Sequence, residues 1–345
     1  MKYSNIPNTD IKVSKICLGT MTFGEQNTEA EAHEQLNYAV QEGVNFFDSA
    51  EMYSVPGRKE TQGNSEKCIG TWLQNQKREN IILGTKVTGP NEYFKYIREN
   101  LGFSKSVILE ALNNSLKNLK TDYVDLYQLH WPEREANFFG IRNYKHNENE
   151  QWQDNFKEVI ETLDNLVKEG KIRHYGVSNE TSWGVMRHLE ESKYNNLTRC
   201  KTIQNPYSLL NRSFEVNLAE VAMREKVGLL AYSPMAFGVL SGKYLNGKMP
   251  ENSRIKLFPQ YSRYSTKQCH FLTEKYLTLA NELNISLAQL ALAFVNQREF
   301  LTGNIIGATT MEQLKENISS IQIQFSEETH KKIDEIHELQ PNPAT

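Results

Sequence analysis

The sequence predicts one closed α/β barrel of eight parallel strands, each followed by a helix, with a short hairpin in front. Three observations carry this. Apolar strand-length stretches alternate with amphipathic helical stretches eight times along the 345 residues. The strands are apolar throughout rather than at every second position, as strands covered on both faces are. Eight such units close a barrel, whereas an open dinucleotide-binding sheet starts with a G-x-G-x-x-G turn, and none occurs here. The expectation is therefore a (β/α)8, or TIM-barrel, fold in a single domain over residues 1–345, with extra helices near the C-terminus.

Taken in order, Tyr3 to Ile6 and Ile11 to Val13 flank the turn Pro7-Asn8-Thr9-Asp10 and read as the hairpin. Ile16 to Thr20 is the first barrel strand, and Glu29 to Glu42 its helix, with Ala32, Leu36, Ala39 and Val40 on one face. Val44 to Asp48 and Ile81 to Lys86 are the second and third strands, with helices at Asn64–Asn75 and Ser104–Leu119. The latter opens on a serine and spaces Val107, Leu109, Leu112, Leu116 and Leu119 helically. Tyr123 to His130 is the fourth strand; its helix, Trp152 to Glu169, stops at Gly170. Ile172–Val177, Thr202–Gln204 and Val227–Tyr232 are strands five to seven, with helices at Thr181–Glu191 and Phe214–Glu225. Helices at Thr266–Leu283 and Leu287–Gln297 precede the eighth strand, Asn304–Gly307, and helices at Thr310–Ser320 and Ser326–His337 follow it.

A net charge of −3 with no basic block argues against nucleic acid or an anionic membrane as partner. No apolar run approaches the roughly 18 residues of a spanning helix. The first residues lack a secretory h-region, which makes the cytoplasm the expected location. Four scattered cysteines, with no C-x-x-C pair, read as buried free thiols, so no metal site is expected. Gly238 to Lys243 falls one residue short of P-loop spacing.

In such barrels chemistry gathers where the strands end at their carboxyl side. The ends here read Gly19-Thr20-Met21, Asp48, Lys86, His130, Ser178-Asn179, Gln204-Asn205, Tyr232-Ser233 and Gly307-Ala308-Thr309. Singly, a strand-end Asp reads as a turn residue, a Tyr as packing and a His as a satisfied structural group. Asp, Lys and His closing three consecutive apolar strands, with Tyr53 on the loop after Asp48, are hard to explain that way, because each must be paired to offset desolvation. Asp48 and Lys86 make such a pair. Lys86 beside Tyr53 would lower the phenol from its usual value of about 10 and make it a general acid. His130 would orient the same network. Glu51 finds no partner in this reading.

These residues resemble the aldo-keto reductases. Asp48 with Tyr53, Lys86 in Gly84-Thr85-Lys86-Val87, and His130 in Leu129-His130-Trp131-Pro132 are similar to that family's catalytic tetrad. Gly19 to Gln26 and Ser208 to Val216 look most like its bacterial Tas-type subgroup. The resemblance implies nicotinamide contacts from Ser178, Asn179 and Gln204, with Tyr232 stacking on the ring. It also implies cofactor contacts from Gly19, Thr20, Met21 and Asp48, a pyrophosphate loop at Ser233, Pro234 and Met235, and adenosine-side contacts from Gly307, Thr309, Gln313 and Asn317. Thr310 and Gln313 are spaced as a capping box, and free N–H groups at that helix start, with Lys243 and Arg254 nearby, suit a 2′-phosphate. The expected cofactor is NADP(H), and the expected activity is hydride reduction of an aldehyde or ketone.

Trp131 is the expected substrate wall. Three loops, Pro56–Asn64, Glu133–Gln151 and Asn246–Arg263, are long enough to shape a pocket. The second holds Phe138, Phe139 and Tyr144, with Trp152 just beyond it, and reads equally as an aromatic lid or as a packed surface loop. Quinones and sugar-derived aldehydes are equally compatible substrates. A nucleotide-binding regulatory protein of this fold is the alternative function. A carboxylate hydrolase would need two facing acidic strand ends, and only Asp48 qualifies.

Overall fold

The computed structural model describes residues 1–344. A two-stranded antiparallel hairpin, β1 (Tyr3–Asn5) and β2 (Lys12–Ser14), comes first. The barrel strands are β3 (Ile16–Gly19), β4 (Phe46–Asp48), β5 (Ile82–Val87), β6 (Val124–Leu129), β7 (Ile172–Ser178), β8 (Thr202–Pro206), β9 (Gly228–Tyr232) and β10 (Leu301–Ile306). They pair in parallel in chain order, and β10 closes the ring on β3. The predicted barrel is the observed one.

The helices wrap the outside. They are α1 (Glu29–Gln41), α2 (Asn64–Leu73), α3 (Lys105–Leu119), α4 (Phe156–Lys168), α5 (Ser182–Asn195), α6 (Leu218–Glu225), α7 (Arg254–Leu257), α8 (Lys267–Glu282), α9 (Leu287–Asn296), α10 (Met311–Ser319) and α11 (Glu327–Glu338). Their apolar faces and the outward side of the strands form the larger core. α2 crosses α3 so closely at Gly70 that a Cβ there would lie 2.0 Å from the Asn118 carbonyl oxygen. Only glycine permits that approach.

A second, smaller core fills the barrel's lower half. Ile6, Ile11 and Val13 of the hairpin pack on Cys17, Phe46, Ile82, Leu126 and Leu230, so the hairpin plugs the amino-terminal end of the ring. Fully burying one such side chain contributes roughly 1.5–3 kcal/mol. Above this layer the interior turns polar, and Asp48, Lys86, Gln128 and Gln204 are all buried there.

Several boundaries differ from expectation for local reasons. Val44-Asn45 is not barrel strand: Asn45 Oδ1 accepts the Ser14 N–H at 2.7 Å, and the Asn45 N–H donates to Ser14 Oγ at 3.1 Å, tying this stretch to the hairpin. The helix expected from Trp152 begins at Phe156, with Trp152 packed edge-on to it at 5.9 Å. The helix expected from Phe214 breaks at Asn217 (φ −137°) into a 3-10 turn, Ser213–Glu215, and α6. The short helix α7 inside the Asn246–Arg263 loop has no apolar repeat to announce it. Among the described residues no single helix is long and apolar enough to cross a membrane.

Candidate active site

Strand register brings two of the four predicted residues, Asp48 and Lys86, together. Asp48 ends β4, beside Gly84 of β5, and Lys86 lies two residues further up β5 opposite Gln128 of β6. Lys86 Nζ donates to Asp48 Oδ2 at 2.6 Å and to the Ser49 carbonyl at 2.7 Å. The other carboxylate oxygen accepts Gln128 Nε2 at 3.1 Å and Gln204 Nε2 at 2.9 Å, and Gln204 also donates to Gln128 Oε1 at 3.0 Å. Asp48 is thus bonded through both oxygens. Burial, the largest single influence, would lower Lys86, but the charge and hydrogen bond of Asp48 together with Tyr53 outweigh it, and the ammonium is held above its usual value.

Tyr53 leans back over this pair, with Lys86 Nζ 5.0 Å from the ring centre. The expected net lowering of the phenol does not occur. Burial raises it first, Lys86 pulls it down second, and the outcome lies above the usual value of 10.0. The proton stays on the hydroxyl near neutrality. His130 follows β6, and its ring meets Tyr53 edge-on at 5.8 Å. Burial, helped by Lys86, pushes the imidazole well below its usual value, so it is neutral.

Trp131 adjoins His130 at 4.9 Å and forms a small apolar cluster with Ala50 and Met52, against which Tyr53, Phe94, Ile97 and Phe138 pack. The Glu133–Gln151 loop divides. Phe138 and Phe139 meet each other at 5.2 Å, and Phe139 meets Trp131 at 5.7 Å, whereas Tyr144 is 57% exposed and meets His146 instead. Trp152 belongs to the α4 surface. Aromatic side chains of two loops therefore wall the mouth.

The predicted cofactor residues are placed unevenly. Thr20 Oγ1 donates to the Asp48 carbonyl at 3.0 Å, and a Cβ at Gly19 would lie 2.7 Å from Ile305, so that strand end is packed tightly under the mouth. Ser178 Oγ donates to the Gln204 carbonyl at 2.8 Å. Asn179 Nδ2 donates to the His130 carbonyl at 2.9 Å, and its Oδ1 accepts the Tyr232 hydroxyl at 2.6 Å. Gln204 faces Asp48 and Gln128 instead of the mouth. Next to Tyr232, Ser233 has φ 53°, and beyond Pro234 and Met235, Ala236, Phe237 and Gly238 have φ of 47°, 56° and 88°. Holding non-glycine residues there costs on the order of 1 kcal/mol each.

Around Phe237 lie cations with no carboxylate partner among the described residues. The Arg254 guanidinium is 5.5 Å from that ring and its Nη2 is 3.8 Å from Met21 Sδ. Arg254 is close enough to Tyr53 for its charge to act there, so it overhangs the mouth. Lys243 Nζ lies 5.4 Å over Tyr244, within reach of Arg254's charge. Arg263, which the sequence marked only as a loop end, lies 5.8 Å from both Phe237 and Phe139, and its Nη1 is buried without a partner. At the start of α10, Thr310 caps the Gln313 N–H at 3.3 Å, but the reciprocal half of the expected box fails. Gln313 Oε1 accepts the Thr309 N–H at 3.0 Å, one residue short of the cap. Asn317 Nδ2 donates to the Gly307 carbonyl at 3.1 Å, drawing the predicted adenosine-side residues into one cluster.

The aldo/keto reductase family model matches residues 15–338. The chain belongs to the aldo/keto reductase family. It is 48% identical over its whole length, and the whole of the relative's, to Protein tas of Escherichia coli (strain K12). It is 32% identical to the uncharacterized oxidoreductase YrpG of Bacillus subtilis (strain 168), covering 97% of this chain and 96% of that one. An aldo-keto reductase of Babesia bovis matches at 33% over 74% of this chain and 95% of its own. This aldo/keto reductase is accordingly an oxidoreductase of a nicotinamide-using family.

Glu51 and Arg98 were missed as a pair. Both are buried and bonded through two contacts, Oε2 to Nη2 at 2.6 Å and Oε1 to Nη1 at 2.9 Å. A carboxylate between Asp48 and Tyr53 was a visible signal. Its partner, 47 residues on in an irregular segment, was not.

Proposed function

We propose that the chain is an NADPH-dependent reductase of aldehydes or ketones in which Tyr53 is the proton donor. The observation that carries this is the buried Asp48–Lys86 pair directly under a Tyr53 phenol that keeps its proton. The cations Lys243, Arg254 and Arg263, without carboxylate partners around a strained loop, fit a polyanionic dinucleotide, and three of them suit the extra phosphate of NADP over NAD. Tyr232, Ser178 and Asn179 would flank the nicotinamide, Ser233 to Met235 the pyrophosphate, and Gly307, Thr309, Gln313 and Asn317 the adenosine side.

When bound, the nicotinamide supplies the hydride. The chain's own residues do the rest. Tyr53 gives its hydroxyl proton to the carbonyl oxygen, and the phenolate left behind is stabilised by Lys86. Asp48, fixed by Gln128 and Gln204, keeps Lys86 charged. His130, neutral, donates a hydrogen bond that orients the carbonyl oxygen, and Trp131 with Phe138 and Phe139 screens the site from water. The partner is a small carbonyl compound, and a cytoplasmic setting, where reduced NADP is plentiful, suits the reaction.

The test is Tyr53→Phe. It should bind NADPH as the parent does yet lose most turnover with a reactive aldehyde, followed by loss of NADPH absorbance. Near-normal turnover would overturn the assignment. A parent enzyme that binds NADPH tightly but consumes none with aldehydes, ketones or quinones would favour a nucleotide-sensing regulatory role.

A further inference from the structure

Glu51 lies three residues after Asp48 and two before Tyr53, but it takes no part in the proton path above. Its carboxylate is 3% exposed, and Arg98, its two-point partner, is 6% exposed. Oε1 also accepts the Thr88 N–H at 2.6 Å, and the Glu51 N–H donates to the Lys86 carbonyl at 3.1 Å. One residue on the Tyr53 loop thus grips the backbone on both sides of Val87, at the exit of the strand that carries Lys86. Arg98 adds a third element, since its segment brings Phe94 and Ile97 against the Ala50, Met52 and Trp131 cluster on which Tyr53 also packs. Its Nε reaches Glu110 on α3 at 3.4 Å, which anchors the segment from behind.

A buried ion pair is a poor device for stability alone, because an apolar pair of the same volume often holds a fold as well or better. It is a good device for register, because its two-point geometry tolerates little displacement. We infer that the Glu51–Arg98 pair fixes the Tyr53 hydroxyl relative to Lys86 and the Phe94–Trp131 wall, making both members positioning residues for the proton transfer. The inference rests on the reductase reading for its catalytic meaning, but the geometry it asserts does not. The loop from Ser49 to Gly63 is irregular apart from turns, so besides the clamp Tyr53 is held by its own backbone bonds to Ala50 and Gly63 and by its ring contacts with His130 and the Trp131 cluster.

The experiment uses the double variant Glu51→Gln/Arg98→Met, which removes both charges and leaves neither partner buried alone. NADPH affinity, kcat and KM for a reactive aromatic aldehyde, and the pH profile of kcat are measured. In the ligand-free protein the Tyr53 phenol is titrated by 13C-tyrosine NMR, with Tyr53→Phe identifying its signal. Lys86, Asp48, Arg254, the neutral His130 ring and the phenols of Tyr232 and Tyr261 are the groups facing that phenol. NADPH affinity within about twofold, kcat lower by roughly 10- to 100-fold, and a titration raised by about one pH unit as the phenol leaves Lys86 are expected. Unchanged kcat and unchanged titration in the folded variant overturn the inference. If the parent reduces no carbonyl, the reductase reading fails while the phenol titration still decides the positioning. If the double variant does not fold, Arg98→Lys keeps the charge but not the fork, and should lose kcat with a smaller change in KM. Full kcat in that variant would equally overturn the inference.

Discussion

Lys86 Nζ sits 2.6 Å from Asp48 Oδ2, and neither side chain reaches solvent. The pair is stable as a pair, and each member alone is a buried charge in a ring of apolar strands. Lys86→Met should therefore abolish turnover and also destabilise the barrel by roughly 3–5 kcal/mol, read as a lowered urea midpoint. Adding Asp48→Asn should restore most of the stability and none of the activity. If Lys86→Met unfolds at the parent midpoint, the carboxylate is not buried as described.

Stability should fall in mild acid. Burial, with Arg134 and Arg187, holds His188 down to about 3, and burial, with Lys201 and Arg173, holds His174 at about 4. His130 is lowered by burial and Lys86. The unfolded chain takes up these protons near 6.5, so it binds more of them than the fold does below that pH. Stability is complete above about 6.5 and drains away as pH descends toward the folded values. For His188, the fully buried one, the loss from about pH 7 to about pH 5 is about 2 kcal/mol. Urea midpoints across that range check it, and His188→Phe, filling the space beside Phe156, should flatten the slope by one proton.

The cations around Phe237 should discriminate between cofactors. Lys243→Met and Arg263→Met are each expected to weaken NADPH binding roughly 10- to 100-fold, the effect of losing one charge-assisted contact, while NADH binding changes little. Fluorescence titration with both cofactors reads the difference. Equal losses for the two would place these side chains away from the extra phosphate.

Gly89 should control the substrate wall. A Cβ there would come within 2.5 Å of the Trp131 indole, whose Nε1 donates to the Pro90 carbonyl at 3.1 Å. Gly89→Ala must push that ring aside. KM for bulky aldehydes should rise several-fold with NADPH affinity intact, and an unchanged KM would remove Trp131 from the wall.

Asp48, Lys86 and His130 were legible in the sequence because a barrel strand's apolar run ends at a fixed place, and these ends are polar without packing reason. Tyr53 was legible through its distance from Asp48. The barrel followed from counting units. The Glu51–Arg98 clamp, the tie of Gln204 to Asp48 and the place of Arg263 were not legible. Each depends on the path of an irregular segment or on which of several amides faces a carboxylate, and neither leaves a periodic trace. The direction of the Tyr53 shift was misjudged for a related reason: Lys86 was visible as a neighbour, but the extent of burial that outweighs it emerges only when all the loops are in place.

The hairpin that plugs the barrel's lower end makes the interior a well with one opening. Ile6, Ile11 and Val13 seal the floor, so Lys86 has no aqueous contact from below. If Tyr53 is the proton donor proposed above, any proton that replenishes it has to arrive through the same doorway the substrate uses, past His130 and the aromatic rim. The acid would then be reloaded only while that doorway stands open, tying each proton delivered to one cycle of entry and departure.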